Sequence, residues 1–266
     1  PIFFQFVIYK LSQKHKRTKE MATLNRDKRT KWFPLESNPE LLNTYIADLG
    51  FDTSMYRFID VYSTESWALD MIAGPVVAVM MLYPLTVQQE KNRKEEEKSG
   101  NQNSIDYSEV FFVKQRIGNA CGTIGIIHAL ANLPEGLRAV ALREGSWIHN
   151  FLDECPTALD PIAKAEILEN DPKNELEAMH DKATLNSSAQ TSRGSKDDRL
   201  DNHFISLVHV NGGLFELDGR KNGPIRHGDT NEMSLLKDAC KVVEKFMARD
   251  PGELRFTILA LVPVEC

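Results

Sequence analysis

The stretch HFISLVHV-NGG-LFELDGR, from His203 to Arg220, constrains the fold more than any other part of the chain. Two runs with strand periodicity flank Asn211, Gly212 and Gly213, residue types that accept the positive φ of a tight hairpin. The chain must therefore contain an antiparallel pair. His203 stands where the first strand begins, and the second strand returns to that same end near Asp218. His209 lies at the turn end, about 20 Å along the strand from His203, and reads as an ordinary strand residue.

Other segments extend this hairpin into a sheet. PVVAVMMLY is almost continuously apolar, which predicts a central strand. YRFIDVYS, EVFFVKQ and RFTILALVPV read as further strands. Helices are expected where apolar residues recur at helical spacing. Asn38 and Pro39 open one, which Gly50 closes after Leu41, Leu42, Tyr45, Ile46 and Leu49. REGSWIHNFLDEC, PIAKAEILEND and the amphipathic MSLLKDACKVVEKFMARDPG are three more. From Cys121 to Leu133 charge is sparse, and Ile124, Ile127 and Ala131 predict a helix buried on most sides. The expected fold class is α/β in the broad sense (α+β): a central, mostly antiparallel sheet flanked by helices, in one domain over residues 21–266.

Three stretches fall outside this pattern. EKNRKEEEKSGNQNS reads as a charged, solvated excursion. Residues from Asp171 to Arg199 are polar, lack usable periodicity after Met179, and are expected to form a flexible loop. PIFFQFVIYK is apolar but too short to span a bilayer, and its basic flank KHKRTK follows it, so it fits neither a signal peptide nor a membrane helix. Residues 1–20 are expected to be a disordered or non-native extension, with Met21 opening the ordinary sequence.

Charge and cysteine content narrow the function classes. A net charge of −6 argues against nucleic acid as the main partner. Cys121, Cys155, Cys240 and Cys266 show neither a CxxC pair nor metal-ligand spacing, so the thiols are expected to be reduced, in the cytoplasm and also the nucleus. No membrane partner is expected, and the unit is expected to be a monomer.

In KQRIGNACGTIGIIHAL, Cys121 sits among Gly118, Asn119, Ala120 and Gly122, where a helix begins. A free cysteine is usually just a small buried hydrophobe. At a helix mouth, however, unpaired N–H groups and the dipole favour thiolate, and small neighbours let a carbonyl approach. A thiolate nucleophile needs a histidine and a group to orient it. Of seven histidines, His128 shares the Cys121 face but stands about 10 Å further along the axis, which suits a core residue. His203 is better placed, with Asp218 near it; Glu216 lies on the same strand face, further from the His203 end. Gln115 ends the segment that feeds the cysteine turn, and its amide could meet an oxyanion together with the Cys121 N–H. Asn119 reads first as a turn former.

WFPLESNPE, FIDVY, KQRIGNACGTIGIIHA, DNHFISLVHVNGGLFELDGRK and RDPGELRF together resemble the ubiquitin carboxyl-terminal hydrolases, papain-like cysteine proteases, in their short single-domain branch. The resemblance runs in order from about Trp32 to Leu261. It implies a papain-like fold with a loop crossing the active site, a constellation matched by Gln115, Cys121, His203 and Asp218, and no metal or cofactor. Asp60 matches a position associated with choosing ubiquitin over related modifiers. The implied activity is thiol-dependent deubiquitination that releases small adducts, peptides or unfolded tails from the terminal glycine of ubiquitin. A hydrolase for another ubiquitin-like modifier and a non-catalytic ubiquitin-binding protein are the alternatives. Stretched out, the 171–199 segment closes a ring at most about 30 Å across. A folded domain of about 100 residues is about 33 Å wide, too large to thread it.

Overall fold

The structure, a computed structural model, describes residues 30–98, 109–185, 194–197 and 200–264. The expectations for residues 1–20 and the thiol of Cys266 lie outside the described residues. Six strands form one sheet in the order β1-β6-β2-β3-β4-β5: β1 Tyr56–Asp60, β2 Ala78–Pro84, β3 Asn202–Val210, β4 Gly213–Leu217, β5 Ile225–Asp229 and β6 Thr257–Pro263. Every pairing among them is antiparallel. The apolar β2 lies inside the sheet, between β6 and β3. Its residues alternate between two cores, Ala78 and Met80 in one, Val79 and Met81 in the other. The hairpin turn is Asn211-Gly212, both at positive φ (48° and 79°), so the register runs from Val210 opposite Gly213 to Ser206 opposite Leu217. His209 has a small task there: its Nε2 accepts the Gly212 N–H at 3.1 Å.

Helices cover both faces. In chain order they are α1 Pro39–Leu49, α2 Ser66–Leu69, α3 Val87–Lys98, α4 Cys121–Ala131, α5 Glu135–Ala141, α6 Trp147–Glu154, α7 Pro161–Glu169, α8 Glu175–Thr184 and α9 Leu235–Ala248. The expected cap of α1 is present: Asn38 Oδ1 accepts from the N–H groups of Glu40 and Leu41, and Gly50 ends the helix at φ 112°. α4 is buried along its whole length. It can lie close on β2 and β3 because Gly125 lacks a side chain; a Cβ there would meet Met80 Cε at 3.0 Å. Ser206 Oγ then donates to the Gly125 carbonyl at 2.7 Å and ties helix to sheet. On the opposite face α9 supplies Leu235, Leu236, Ala239, Val242, Val243 and Phe246 to the second core.

Three expectations need correction. EVFFVKQ is not a strand: residues 111–116 join no ladder. The segment is buried beside α4, and at Phe111 and Val113 its backbone partners are the side chains of Asn132, which caps that helix, and His128, on it. Asn132 Oδ1 accepts the Phe111 N–H at 2.8 Å, Asn132 Nδ2 donates to the Phe111 carbonyl at 2.9 Å, and His128 Nε2 accepts the Val113 N–H at 3.0 Å. An apolar run reports burial, and burial among helices looks the same as burial in a sheet. The charged excursion begins as helix α3, anchored by Gln89, which donates to the Phe246 carbonyl at 2.8 Å; residues 99–108 lie outside the described residues. The 171–199 segment contains α8. Its buried face is Leu176, His180, Ala183 and Thr184, a helical spacing hidden by one polar and two small residues. The edge strand β5 and the helices α2 and α5 were not anticipated; all three are short.

Asn132 joins this segment to the helix end, since Nδ2 also donates to the His128 carbonyl at 2.8 Å. Replacing Asn132→Ala strands the buried amide and carbonyl of Phe111, and should cost about 2–4 kcal/mol. For a chain of this size that lowers the melting temperature by about 5–10 °C, measurable by calorimetry.

Candidate active site

Cys121 is the first residue of α4, and Ala120 before it offers no side-chain cap. The N–H groups of that first turn are thus free to favour a negative sulfur, and those of Gly122 and, on β3, Phe204 act to lower the Cys121 pKa. The small neighbours have packing reasons as well. A Cβ on Gly122 would sit 3.0 Å from Leu35 Cβ, and one on Gly118 would meet Lys31 Cγ at 2.9 Å. Asn119 holds φ 62° in the turn, and its Nδ2 donates to the Lys196 carbonyl at 3.0 Å.

The structure brings three of the expected site residues together. His203 Nε2 lies 2.6 Å from Asp218 Oδ1, and both side chains are buried. The same ring stands beside the Cys121 sulfur, close enough for each group to act on the other's titration. With Nε2 taken by the carboxylate, Nδ1 is the atom left for sulfur. Tyr83, directly opposite His203 on β2, sets its ring edge-on to the imidazole at 5.8 Å between centroids.

Electrostatics sort the thiols. Burial pushes Cys155 and Cys240 up to about 12, so they are inert small hydrophobes. Burial also acts on Cys121, but the hydrogen bond and positive charge of His203, with the two backbone donors, outweigh it and lower its pKa. Burial disfavours the charged His203; the carboxylate of Asp218 outweighs that and raises the imidazole to about 9. Asp218 is itself held far below the usual carboxylate range by His203, Lys221 and the Arg220 N–H, against the cost of its burial. The signs define a window. A raised imidazole contributes stability that is fully present below its ordinary 6.5 and lost as pH rises through about 9. A lowered thiol contributes stability that is lost as pH falls through its folded value.

Gln115 takes a different place. Its backbone N–H donates to the Gly219 carbonyl at 2.8 Å, beside Asp218, while its Nε2 donates to the Ile117 carbonyl at 3.2 Å. Its Oε1 is buried without a hydrogen-bond partner among the described residues. Asp60 is not brought to the cysteine: it ends β1, the sheet edge, with β6 and β2 between it and β3. Partial burial raises its carboxyl pKa. Glu216, weighed against Asp218, instead pairs with Lys221 at 2.7 Å and His227 at 2.8 Å. His128 is wholly buried, and burial lowers it to about 4, as suits a neutral core imidazole. Sequence reasoning gave no role to Tyr83, Lys114 and Lys221.

Among the described residues no group of His, Cys, Asp and Glu is placed to hold a metal ion, and no helix is long and apolar enough to cross a membrane. A buried imidazolium beside a thiol at a helix start can add sulfur to a carbonyl and pass a proton to a leaving group. The ion pair depends on the carboxylate. Asp218→Asn should move the pH midpoint of Cys121 alkylation upward and slow alkylation at neutral pH by about tenfold; a midpoint identical to that of the native protein would remove Asp218 from thiol activation.

Comparisons with known proteins bear on the family and the fold. The family model described as ubiquitin carboxyl-terminal hydrolase, family 1, matches residues 32–248. Ubiquitin carboxyl-terminal hydrolase 3 of Arabidopsis thaliana is 39% identical over 242 residues, 91% of this chain and 98% of the relative. Ubiquitin carboxyl-terminal hydrolase isozyme L1 of Homo sapiens is 41% identical over 231 residues, 86% of this chain and 96% of the relative. Among solved structures, the Trichinella spiralis UCH37 catalytic domain bound to ubiquitin vinyl methyl ester superposes with a TM-score of 0.70 at 21% identity, covering 91% of this chain and all of that one. By the extent of the family match and the identity to these relatives, the chain belongs to ubiquitin carboxyl-terminal hydrolase family 1.

Proposed function

We propose that this protein is a thiol-dependent deubiquitinase that frees the terminal glycine carboxylate of ubiquitin from small adducts, peptides and unfolded tails. The observation that carries the reading is the buried group Asp218, His203 and Cys121, with the imidazole hydrogen-bonded to the carboxylate and set beside a thiol of lowered pKa. Cys121 Sγ adds to the carbonyl carbon of the terminal glycine, and the C–O π electrons move to oxygen. The Cys121 N–H and the Gln115 amide, which leaves the Ile117 carbonyl, receive that oxyanion; one such donor is typically worth about 10²–10³ in rate. His203 passes its proton to the leaving amine or thiol as the carbon–heteroatom bond breaks. Water then attacks the thioester with His203 as base, and the thiolate departs. Asp218 keeps the ring oriented and compensates its charge throughout.

Cys121→Ala should lower hydrolysis of a fluorogenic ubiquitin amide by at least about 10⁴-fold while leaving ubiquitin binding by calorimetry intact. A ubiquitin carrying an electrophilic C-terminus should label Cys121, mapped by peptide mass. Binding without turnover by fresh, reduced native protein would instead mark a ubiquitin-holding protein.

Specificity is assigned to two regions. Asp60 is proposed to favour ubiquitin over related modifiers. The 171–199 segment is proposed to limit the leaving group, its described parts being pinned by Lys182 on Asp48 at 2.8 Å and by Asn119 on Lys196. Because α8 takes up ten of its residues at helical rise, the ring can be at most about 25 Å across. A folded domain of about 100 residues, about 33 Å wide, does not pass. Asp60→Ala should narrow the gap between ubiquitin and ubiquitin-like substrates in parallel turnover assays, and deleting residues within 186–193 should reduce the largest leaving group accepted. Unchanged preference, or an unchanged size limit, refutes the respective assignment.

A further inference from the structure

Lys114 stands immediately before Gln115, and nothing in the chemistry above explains a cation there. Its ammonium donates to the carbonyls of Arg220 at 2.8 Å and Lys221 at 2.7 Å, and to Asn222 Oδ1 at 3.4 Å. One residue later, the Gln115 N–H donates to the Gly219 carbonyl. Two consecutive residues thus stitch four consecutive residues, Gly219 to Asn222, to the segment that feeds the cysteine turn.

The stitched turn begins at Asp218. Asp218 Oδ1 accepts the Arg220 N–H at 2.8 Å as well as the imidazole, and the Lys221 N–H returns to the Asp218 carbonyl at 2.9 Å. The turn is packed without slack, since a Cβ on Gly219 would stand 2.8 Å from Gln115 Cβ and from Ile124 Cγ2. Its outer side is held by the Lys221 ammonium, 2% exposed, on Glu96 at 2.9 Å and Glu216 at 2.7 Å. The two lysines divide the work: Lys221 meets carboxylates, while Lys114 meets backbone carbonyls that no ladder satisfies. A compact ammonium with three donors suits acceptors converging from consecutive peptides.

We propose that Lys114 is a positioning residue: it fastens the turn that carries Asp218 to the segment that carries Gln115. The group that orients the imidazole and the group assigned to the oxyanion are then held at one separation. Without the ammonium, the two carbonyls lose the donor that ties them to the Gln115 segment, the turn relaxes, and the Asp218 carboxylate moves from the ring. A displacement of about 1 Å at such a site costs on the order of 10²-fold in rate. The inference rests on the roles assigned to Cys121, His203 and Asp218 above.

Lys114→Met keeps the side-chain stem and removes the donors. It should lower kcat on a fluorogenic ubiquitin amide by about tenfold or more, with KM within about twofold of native. The pH midpoint of Cys121 alkylation, read without ubiquitin, should move upward. Native kcat and midpoint in the folded variant overturn the proposal, as does a loss of kcat matched only by the unfolded fraction. If Lys114→Met does not fold, Lys114→Arg carries the test. Its planar fork replaces a single converging centre, so a smaller kcat loss and a smaller upward midpoint shift are expected, and native values overturn the proposal. Failure of the functional reading is separate: native protein that alkylates as a thiolate yet hydrolyses no ubiquitin amide refutes that reading, while the variant's midpoint still judges Lys114.

Discussion

The structure depends on keeping one carboxylate charged where water does not reach. An ionised Asp218 with no exposed surface is costly unless it is paired and hydrogen-bonded. Its partners are an imidazolium, a backbone N–H and, through Coulomb attraction, the ammonium of Lys221. Lys221 is buried in turn and needs Glu96 and Glu216, and Glu216 needs His227. Charge compensation therefore reaches from the His203 ring into α3, β4 and β5. The chain of partners turns one reactive thiol into a property of a whole side of the domain.

The second constraint is close approach. The helix that presents Cys121 has to lie near enough to β3 for sulfur to reach an imidazole on the strand. Gly125 permits that approach, although glycine inside a helix costs about 1 kcal/mol relative to alanine. Ser206 fixes the helix depth from the sheet side, and Asn132 and His128 fix the preceding segment from the helix side. His128 and Asn132 thus act as fasteners, satisfying backbone that has no ladder, and Ser206 ties the helix to the sheet.

Part of this was readable because it is local. The α1 cap, the Asn-Gly turn and the Cys121 helix start follow from side-chain chemistry within a few residues, and each appears as expected. The pairing of His203 with Asp218 was readable because hairpin register links positions across a short turn. EVFFVKQ failed for the opposite reason: its apolar run reports burial, while the partner that buries it lies elsewhere in the chain. α8 was hidden because His180, polar by type, is wholly buried, with Nδ1 bonded to Thr123 Oγ1 at 2.8 Å and Nε2 to the Phe33 carbonyl at 2.6 Å. The Lys114 and Lys221 contacts have no sequence signal, since a lysine that clamps a turn and one that waves in solvent look alike.

By itself the amino-acid sequence determined the hairpin, the helix that begins at the thiol, the family of the chain and the residue types available for thiol chemistry. These rest on short-range geometry, where steric and hydrogen-bonding rules act between near neighbours. Only the tertiary structure decided which thiol has a lowered pKa, which carboxylate is compensated, and how the segment carrying Gln115 is joined to the turn carrying Asp218. Those outcomes rest on burial and on charges brought together from more than 100 residues apart along the chain, as Lys221 and Glu96 are. Electrostatic energy depends on distance in space and on exclusion of water, and neither exists until the chain has folded.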